Sequence, residues 1–216
     1  MRARLVLLGP LALAICAMSV AQTLSEKAPT AEARNAPAGS AEFEVYCDFR
    51  CPFCARLFST LLAGAKAEDR EVAFHFKHFP FHEGATALAR FYEATVVNYP
   101  DQREALIDSL YRFRRQTVPE NLPKMIPSLS LVHGLDFRRI DRDMKARDID
   151  LAIADSERAA VAAGVEATPT VFYGGAPVTL EEPEQLARFM LDHSPRRSQP
   201  GSADDCPVCA RPRSWK

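Results

Sequence analysis

Hydrophobic and polar positions change period several times along the chain. Residues 41–47, AEFEVYC, form an apolar-rich extended run that predicts a first strand. From Pro52 to Lys66, Leu57, Phe58, Leu61 and Leu62 recur at helical spacing. Residues 71–79, EVAFHFKHF, alternate and predict a second strand ended by Pro80. An Ala- and Leu-rich helical region runs from Glu83 to Val161. Pro100, Pro119, Pro123 and Pro127 divide it into several helices, and Gly164 stops the last. Residues 168–175, TPTVFYGG, predict a short strand closed by a Gly-Gly turn, and APVTL a second one. EPEQLARFMLDH predicts a terminal helix with Pro183 in its first turn. The order is strand, helix, strand, helical block, strand, strand, helix. It predicts a mixed α/β sheet with helices inserted in the middle.

The two ends lie outside this pattern. MRAR is a basic start, LVLLGPLALAICAMSV an apolar run, and SVA before Gln22 a small-x-small site. Residues 1–21 therefore read as a secretory signal peptide cut after Ala21. A retained membrane anchor is the alternative, but a span needs about 20 apolar residues, and Pro10 interrupts this shorter run. A lipoprotein at Cys16 is disfavoured by Ile15 just before it. Residues 22–40, rich in Ala, Pro, Ser and Glu, read as a flexible linker. Residues 194–216 read as a flexible polar tail that carries a second C-P-x-C, Cys206 and Cys209.

Composition narrows the classes. With 216 residues, 47% hydrophobic and 25% charged, the chain suits one packed domain with an insertion. The net charge is −1; losing Arg2 and Arg4 with the leader takes it to −3. No long basic run argues for nucleic acid. Export implies a periplasmic or otherwise extracytoplasmic location, where thiol pairs do redox or structural work. Cleavage also removes Cys16, leaving five of the six cysteines, so one thiol is free, intermolecular or transient.

The candidate chemistry sits in YCDFRCPFCARLF, residues 46–58. Cys47, Cys51 and Cys54 together have the C-x3-C-x2-C spacing that resembles radical-SAM enzymes. That reading needs repeated strand–helix units and a reducing compartment, and the chain predicts neither. Cys51 and Cys54 alone make C-P-F-C where the first strand meets the first helix. Unpaired amides and the helix dipole there favour a thiolate, and such thiols reach pKa values of roughly 3.5–7.5. Pro52 suits the first helical position. Cys51 is thus expected to be the exposed attacking sulfur. Cys54, one turn on, is expected to be the more buried resolving sulfur. The alternatives for this pair are a structural disulfide or half of a zinc site completed by Cys206 and Cys209.

C-P-F-C after a strand, followed far along the chain by GVEATPTVFYGG, resembles the DsbA-like thioredoxin-fold family. KHFPFHEGATALARFYEA, residues 77–94, is similar to that family's second strand and its entry into an inserted helical domain. The resemblance covers about residues 41–193. It implies an α/β thioredoxin fold with an inserted helical domain between the second and third core strands. The two halves of the fold would be residues 41–82 and 148–193, and the insertion residues 83–147. It implies that Cys51 is the nucleophile, that Cys54 resolves, and that Pro52 and Phe53 are the active-site dipeptide. It also implies that Thr168 precedes a cis Pro169 in a loop that faces the sulfurs and binds substrate backbone. No organic cofactor or metal is implied, because the cysteine pair is the redox centre. The implied partners are thiol-containing secreted proteins and a membrane redox partner, with the protein itself a monomer.

Three features depart from that family pattern. Val45, with Glu44 beside it, stands where many relatives have a glutamate under the active site, which puts the usual proton route to the buried thiol in doubt. Phe53 cannot donate a hydrogen bond to a thiolate as a histidine in the dipeptide would, so a less oxidising protein is expected. Cys47 and the Cys206/Cys209 pair lie outside the pattern. Cys47 reads either as a small buried core thiol or as an accessory thiol that exchanges with the active pair. The tail pair reads as a local disulfide, an electron relay or a metal-binding tail. The histidines, His75, His78, His82, His133 and His193, are scattered and read as surface or packing residues, with His75 and His78 on opposite strand faces. The Arg-rich runs YRFRRQ and DFRRIDRDMKARD read as solvated helix faces. Reductase or isomerase activity on the same fold, or a metal-delivery or chaperone module, remain the rival functions.

Overall fold

The computed structural model describes residues 43–197; the expected signal peptide, the linker, Cys206 and Cys209 lie outside them. Strand β1, Phe43–Cys47, is central. It pairs in parallel with β2, Phe74–His78, and antiparallel with β3, Thr170–Tyr173. The short β4, Ala176–Pro177, lies outside β3, so the sheet order is β2-β1-β3-β4. Helix α1, Pro52–Ala67, crosses from β1 to β2, because parallel neighbours need a crossover connection. Five helices fill the interval between β2 and β3: α2 (Ala85–Asn98), α3 (Arg103–Arg112), α4 (Leu122–Val132), α5 (Phe137–Asp143) and α6 (Arg147–Ala162). Helix α7, Pro183–Asp192, closes the chain against α1. This is an α/β thioredoxin fold with a helical insertion between its second and third strands.

Helix α1 buries Cys54, Leu57, Phe58, Leu61 and Ala65, one face at i, i+3, i+4 spacing. Each large apolar side chain removed from water there contributes about 1.5–3 kcal/mol. The side chains around this face are aromatic. Phe49 stacks on Phe76 at 4.8 Å, and Phe58 on Tyr111 of α3 at 5.4 Å. The other side of the sheet buries Tyr46 and Phe172 against Ala160 of α6. Gly64 lets α7 approach α1: a Cβ there would stand 2.4 Å from Leu191 Cδ1.

Several boundaries differ from the expectations. The second strand is shorter than 71–79, because Glu71 donates instead to the Pro195 carbonyl and Arg70 bridges Arg196. Ser194–Arg197, assigned from the sequence to the flexible tail, therefore run against Asp69–Glu71 rather than away from the fold. The APVTL strand is only two residues long. Pro127 does not end a helix; it lies inside α4. It removes a single backbone donor, and burial of Leu122, Ile126 and Leu129 holds the helix through it.

Candidate active site

Cys51 takes an extended backbone (φ −70°, ψ 126°) as the N-cap of α1, and Pro52 opens the helix. Phe53 is half exposed, with the Arg56 guanidinium 5.5 Å from its ring centroid. Arg56 is anchored by Glu182 at 2.8 Å and Glu184 at 2.7 Å, at the start of α7. That ion pair holds the Glu184 carboxyl down at about 2.

The β3 entry loop meets the first cysteine. The Cys51 thiol donates to the Thr168 carbonyl at 3.2 Å. The Thr168–Pro169 peptide is cis, as the resemblance implied. Sequence separation between these residues is 117, so only the sheet brings them together.

Cys51 is not the exposed sulfur expected at a helix start; its residue is only 3% accessible. Nor does the thiolate expectation hold. Its pKa is raised, first by the hydrogen bond with Cys54, then by burial and by the charge of Cys54. The Thr168 side chain and the Cys54 amide oppose this with smaller effect. The Cys51 side chain makes no capping hydrogen bond, so the helix start does not outweigh the second sulfur and the dry surroundings.

Cys54 is fully buried, and burial is the main reason its pKa is well above the ordinary value. Its second perturber is a hydrogen bond with the Cys47 thiol. Cys47 is itself buried at the end of β1. Cys47 is thus a buried core thiol, and one in contact with the active pair. Beyond it lies Tyr111, whose hydroxyl is buried without an oxygen or nitrogen partner and faces Cys47. The three thiols are unbonded. Val45 is buried within β1, while Glu44 faces outward to Lys77 at 3.6 Å. No carboxylate is placed below the sulfurs by either residue.

Sequence reasoning passed over Asp48. Its buried carboxylate accepts from the Arg50 amide at 2.6 Å, the Phe81 amide at 2.7 Å and the His82 amide at 2.8 Å. His82 Nδ1 lies 2.8 Å from the same group. The Asp48 carbonyl accepts from the Cys51 amide at 3.0 Å. Asp48 thus ties the loop after β2 to the turn that carries Cys51. Its position three residues before the first cysteine was visible, but burial of an acid is not written in a sequence. The Arg50 side chain adds a tie to the Thr117 carbonyl at 2.5 Å. His78, across from Cys47 in the β1–β2 register, is buried and bonded to Glu93 at 2.7 Å. Beside Pro52 a groove of about 1180 Å³ runs between α1 and α3, flanked by Arg56, Arg112, Arg114 and Arg115. Among the described residues no group of three or more His, Cys, Asp or Glu is placed to hold a metal ion. Among them, too, no helix is long and apolar enough to cross a membrane.

The same span is matched by a family model. The one described as Thioredoxin covers residues 28–192. The chain belongs to the thioredoxin family. Among solved structures it is similar to the oxidoreductase DsbA from Xylella fastidiosa, with 21% identity and a TM-score of 0.59 over 73% of this chain and 86% of that one. It is also similar to MdbA, a thiol-disulfide oxidoreductase from Corynebacterium diphtheriae, with 15% identity and a TM-score of 0.61 over 72% and 85%. A third is oxidised BdbD from Bacillus subtilis, with 14% identity and a TM-score of 0.60 over 73% and 90%. These structural matches show a shared fold. Among curated proteins, the Na(+)/H(+) antiporter NhaA 1 of Mycolicibacterium gilvum (strain PYR-GCK) is 23% identical over 145 residues. That match takes in 60% of this chain but only 21% of the antiporter's length.

Proposed function

We propose that the protein is an exported thiol–disulfide oxidoreductase that works through the Cys51–Cys54 pair. The observation that carries this reading is the contact of the Cys51 thiol with the carbonyl before cis Pro169. It sets the first sulfur of a C-P-x-C helix start against a loop whose backbone can pair with an extended substrate. When the pair is oxidised, a substrate thiolate attacks Cys51 Sγ and breaks the Cys51–Cys54 bond. Cys54 leaves as a thiolate and takes up a proton. A second substrate thiolate then attacks the substrate sulfur of the mixed disulfide, which releases Cys51 and leaves the substrate oxidised. Running backwards, the same steps reduce a substrate, with Cys54 resolving the mixed disulfide.

The raised pKa of Cys51 favours the less oxidising end of this class. A reduced pair that resists ionisation is not stabilised as a thiolate, so its disulfide is harder to reduce. Reductase or isomerase work is the second reading on that ground. The redox centre requires no organic cofactor and no metal. The partners are thiol-containing secreted proteins and a membrane redox protein that resets the pair, and the location is extracytoplasmic. The Arg-flanked groove beside Pro52 offers room for a substrate segment.

The test is trapping. Cys51→Ser should abolish exchange with a thiol or disulfide substrate, and Cys54→Ser should accumulate a mixed disulfide at Cys51. A Cys51→Ser protein with undiminished turnover would overturn the reading. Equilibration of the wild-type pair with glutathione then sets the direction: about −120 mV marks a strong oxidant and about −270 mV a reductase.

A further inference from the structure

The resolving cysteine has a thiol on each side. Cys51 faces it toward the Thr168 loop, and Cys47 faces it from the end of β1 inside the core. Behind Cys47 the Tyr111 hydroxyl has no oxygen or nitrogen partner, so a buried polar group is aimed at this sulfur. A buried hydroxyl without a partner is costly, and among the groups acting on this one the Cys47 thiol is the one it hydrogen-bonds. The acid that could have stood beneath the pair is absent at Val45 and turned outward at Glu44.

We propose that Cys47 is a second, internal partner of Cys54, and that the oxidised protein interconverts between a Cys51–Cys54 and a Cys47–Cys54 disulfide. The inference rests on the redox reading of the Cys51–Cys54 pair. The Cys47 thiol gives up its proton and its sulfur attacks Cys54 Sγ. The Cys47–Cys54 bond forms, the Cys51–Cys54 bond breaks, and Cys51 leaves with the electron pair and takes up a proton. One disulfide is exchanged for another, so no outside oxidant or reductant enters. Tyr111 is a positioning residue that donates to the Cys47 sulfur as it ionises.

The consequence is a further activity. With Cys54 engaged below, Cys51 stands alone as a thiol beside Thr168. It can attack a substrate disulfide, but Cys54 cannot resolve the mixed disulfide. The substrate thiolate that was released must then attack elsewhere in the substrate and free Cys51. That sequence rearranges disulfides without net oxidation or reduction.

The sequence supplies a clean assay. Trypsin cuts after Arg50, placing Cys47 on peptide 35–50 and the C-P-F-C pair on peptide 51–56. Cys206 and Cys209 are first replaced by serine in every variant. The protein is then oxidised with diamide, acid-quenched, alkylated and digested without reduction. A Cys51–Cys54 bond leaves the two peptides separate, whereas a Cys47–Cys54 bond joins them. In folded Cys51→Ser the joined peptide is expected as the main product. Oxidised protein with Cys51 intact should take up alkylating label on Cys51, and Cys47→Ala should lose it. If folded Cys51→Ser keeps Cys47 and Cys54 separately alkylated, or if Cys47→Ala labels Cys51 to the same extent, the inference is overturned. Should the pair fail to close at all with Cys51 intact, it is the redox reading itself that falls. The Cys51→Ser result still decides whether Cys47 and Cys54 can join.

Discussion

The Cys51 thiol and the Thr168 carbonyl meet at 3.2 Å, although 117 residues separate them along the chain. The contact follows from the sheet. Strand β1 delivers Cys51 by way of the Asp48 turn, and β3 runs antiparallel beside β1 directly after Thr168 and Pro169. Two segments that carry chemistry only together are thus held by backbone pairing of the strands they adjoin.

Thr168 is expected to tune the sulfur. Its side chain favours the ionised form of Cys51, and a hydrogen bond to a charged group is worth about 1.5–3 kcal/mol. Thr168→Val should therefore slow alkylation of Cys51 at pH 7 by about tenfold or more. Iodoacetamide rates across pH measure it, and an unchanged profile would remove the hydroxyl from the account.

Both active-site thiols have raised pKa values in the folded state, Cys51 chiefly from its hydrogen bond with Cys54 and from burial, Cys54 chiefly from burial and from its hydrogen bond with Cys47. Unfolded cysteines ionise near about 8.5. The folded dithiol form stays protonated above that, so the stability it contributes is complete below about pH 8.5 and falls as pH rises further. Urea midpoints of the reduced protein should drop between pH 7.5 and pH 9.5. The double variant Cys51→Ser, Cys54→Ser should show a flatter decline. A midpoint that rises with pH over this interval would show the sign to be wrong.

Asp48 is expected to be a structural keystone of the site. Removing its carboxylate orphans the amides of Arg50, Phe81 and His82, and each buried unsatisfied group costs about 1–3 kcal/mol. Asp48→Ala should lose roughly 3 kcal/mol or more in chemical unfolding, with slower exchange at Cys51. A loss below about 1 kcal/mol would mean that water replaces the carboxylate freely.

Gly64 tests the α1–α7 contact. In an exposed helix, Gly→Ala gains about 1 kcal/mol. Here the new methyl group would stand 2.4 Å from Leu191 Cδ1, a buried side chain, and overpacking costs about 1–3 kcal/mol. Gly64→Ala should therefore be net destabilising, and Leu191→Ala should relieve part of the penalty, so that the double variant is less than additive. A stabilised Gly64→Ala would show that α7 gives way.

The order of elements was legible because each segment buries one face, and that face writes its period into the chain: alternation at Phe74–His78, a three-and-four spacing from Cys54 to Ala65. The cysteine pair was legible too, since C-P-x-C at a strand–helix junction is a local feature. The loop at Thr168 could be matched to it only through family resemblance.

What the sequence determined by itself was local: which segments are strands or helices, where prolines can open a helix, and which side chains carry sulfur chemistry. Tertiary packing decided the rest. It buried Cys51, turned its expected thiolate preference into a thiol preference, set Asp48 at the hub of the loops, and aligned Cys47 and Tyr111 behind Cys54. The physical reason is that ionisation depends on the dielectric and the donors around an atom. Those are supplied in part by residues distant in the chain, such as Thr168, which no period or spacing near residue 51 encodes.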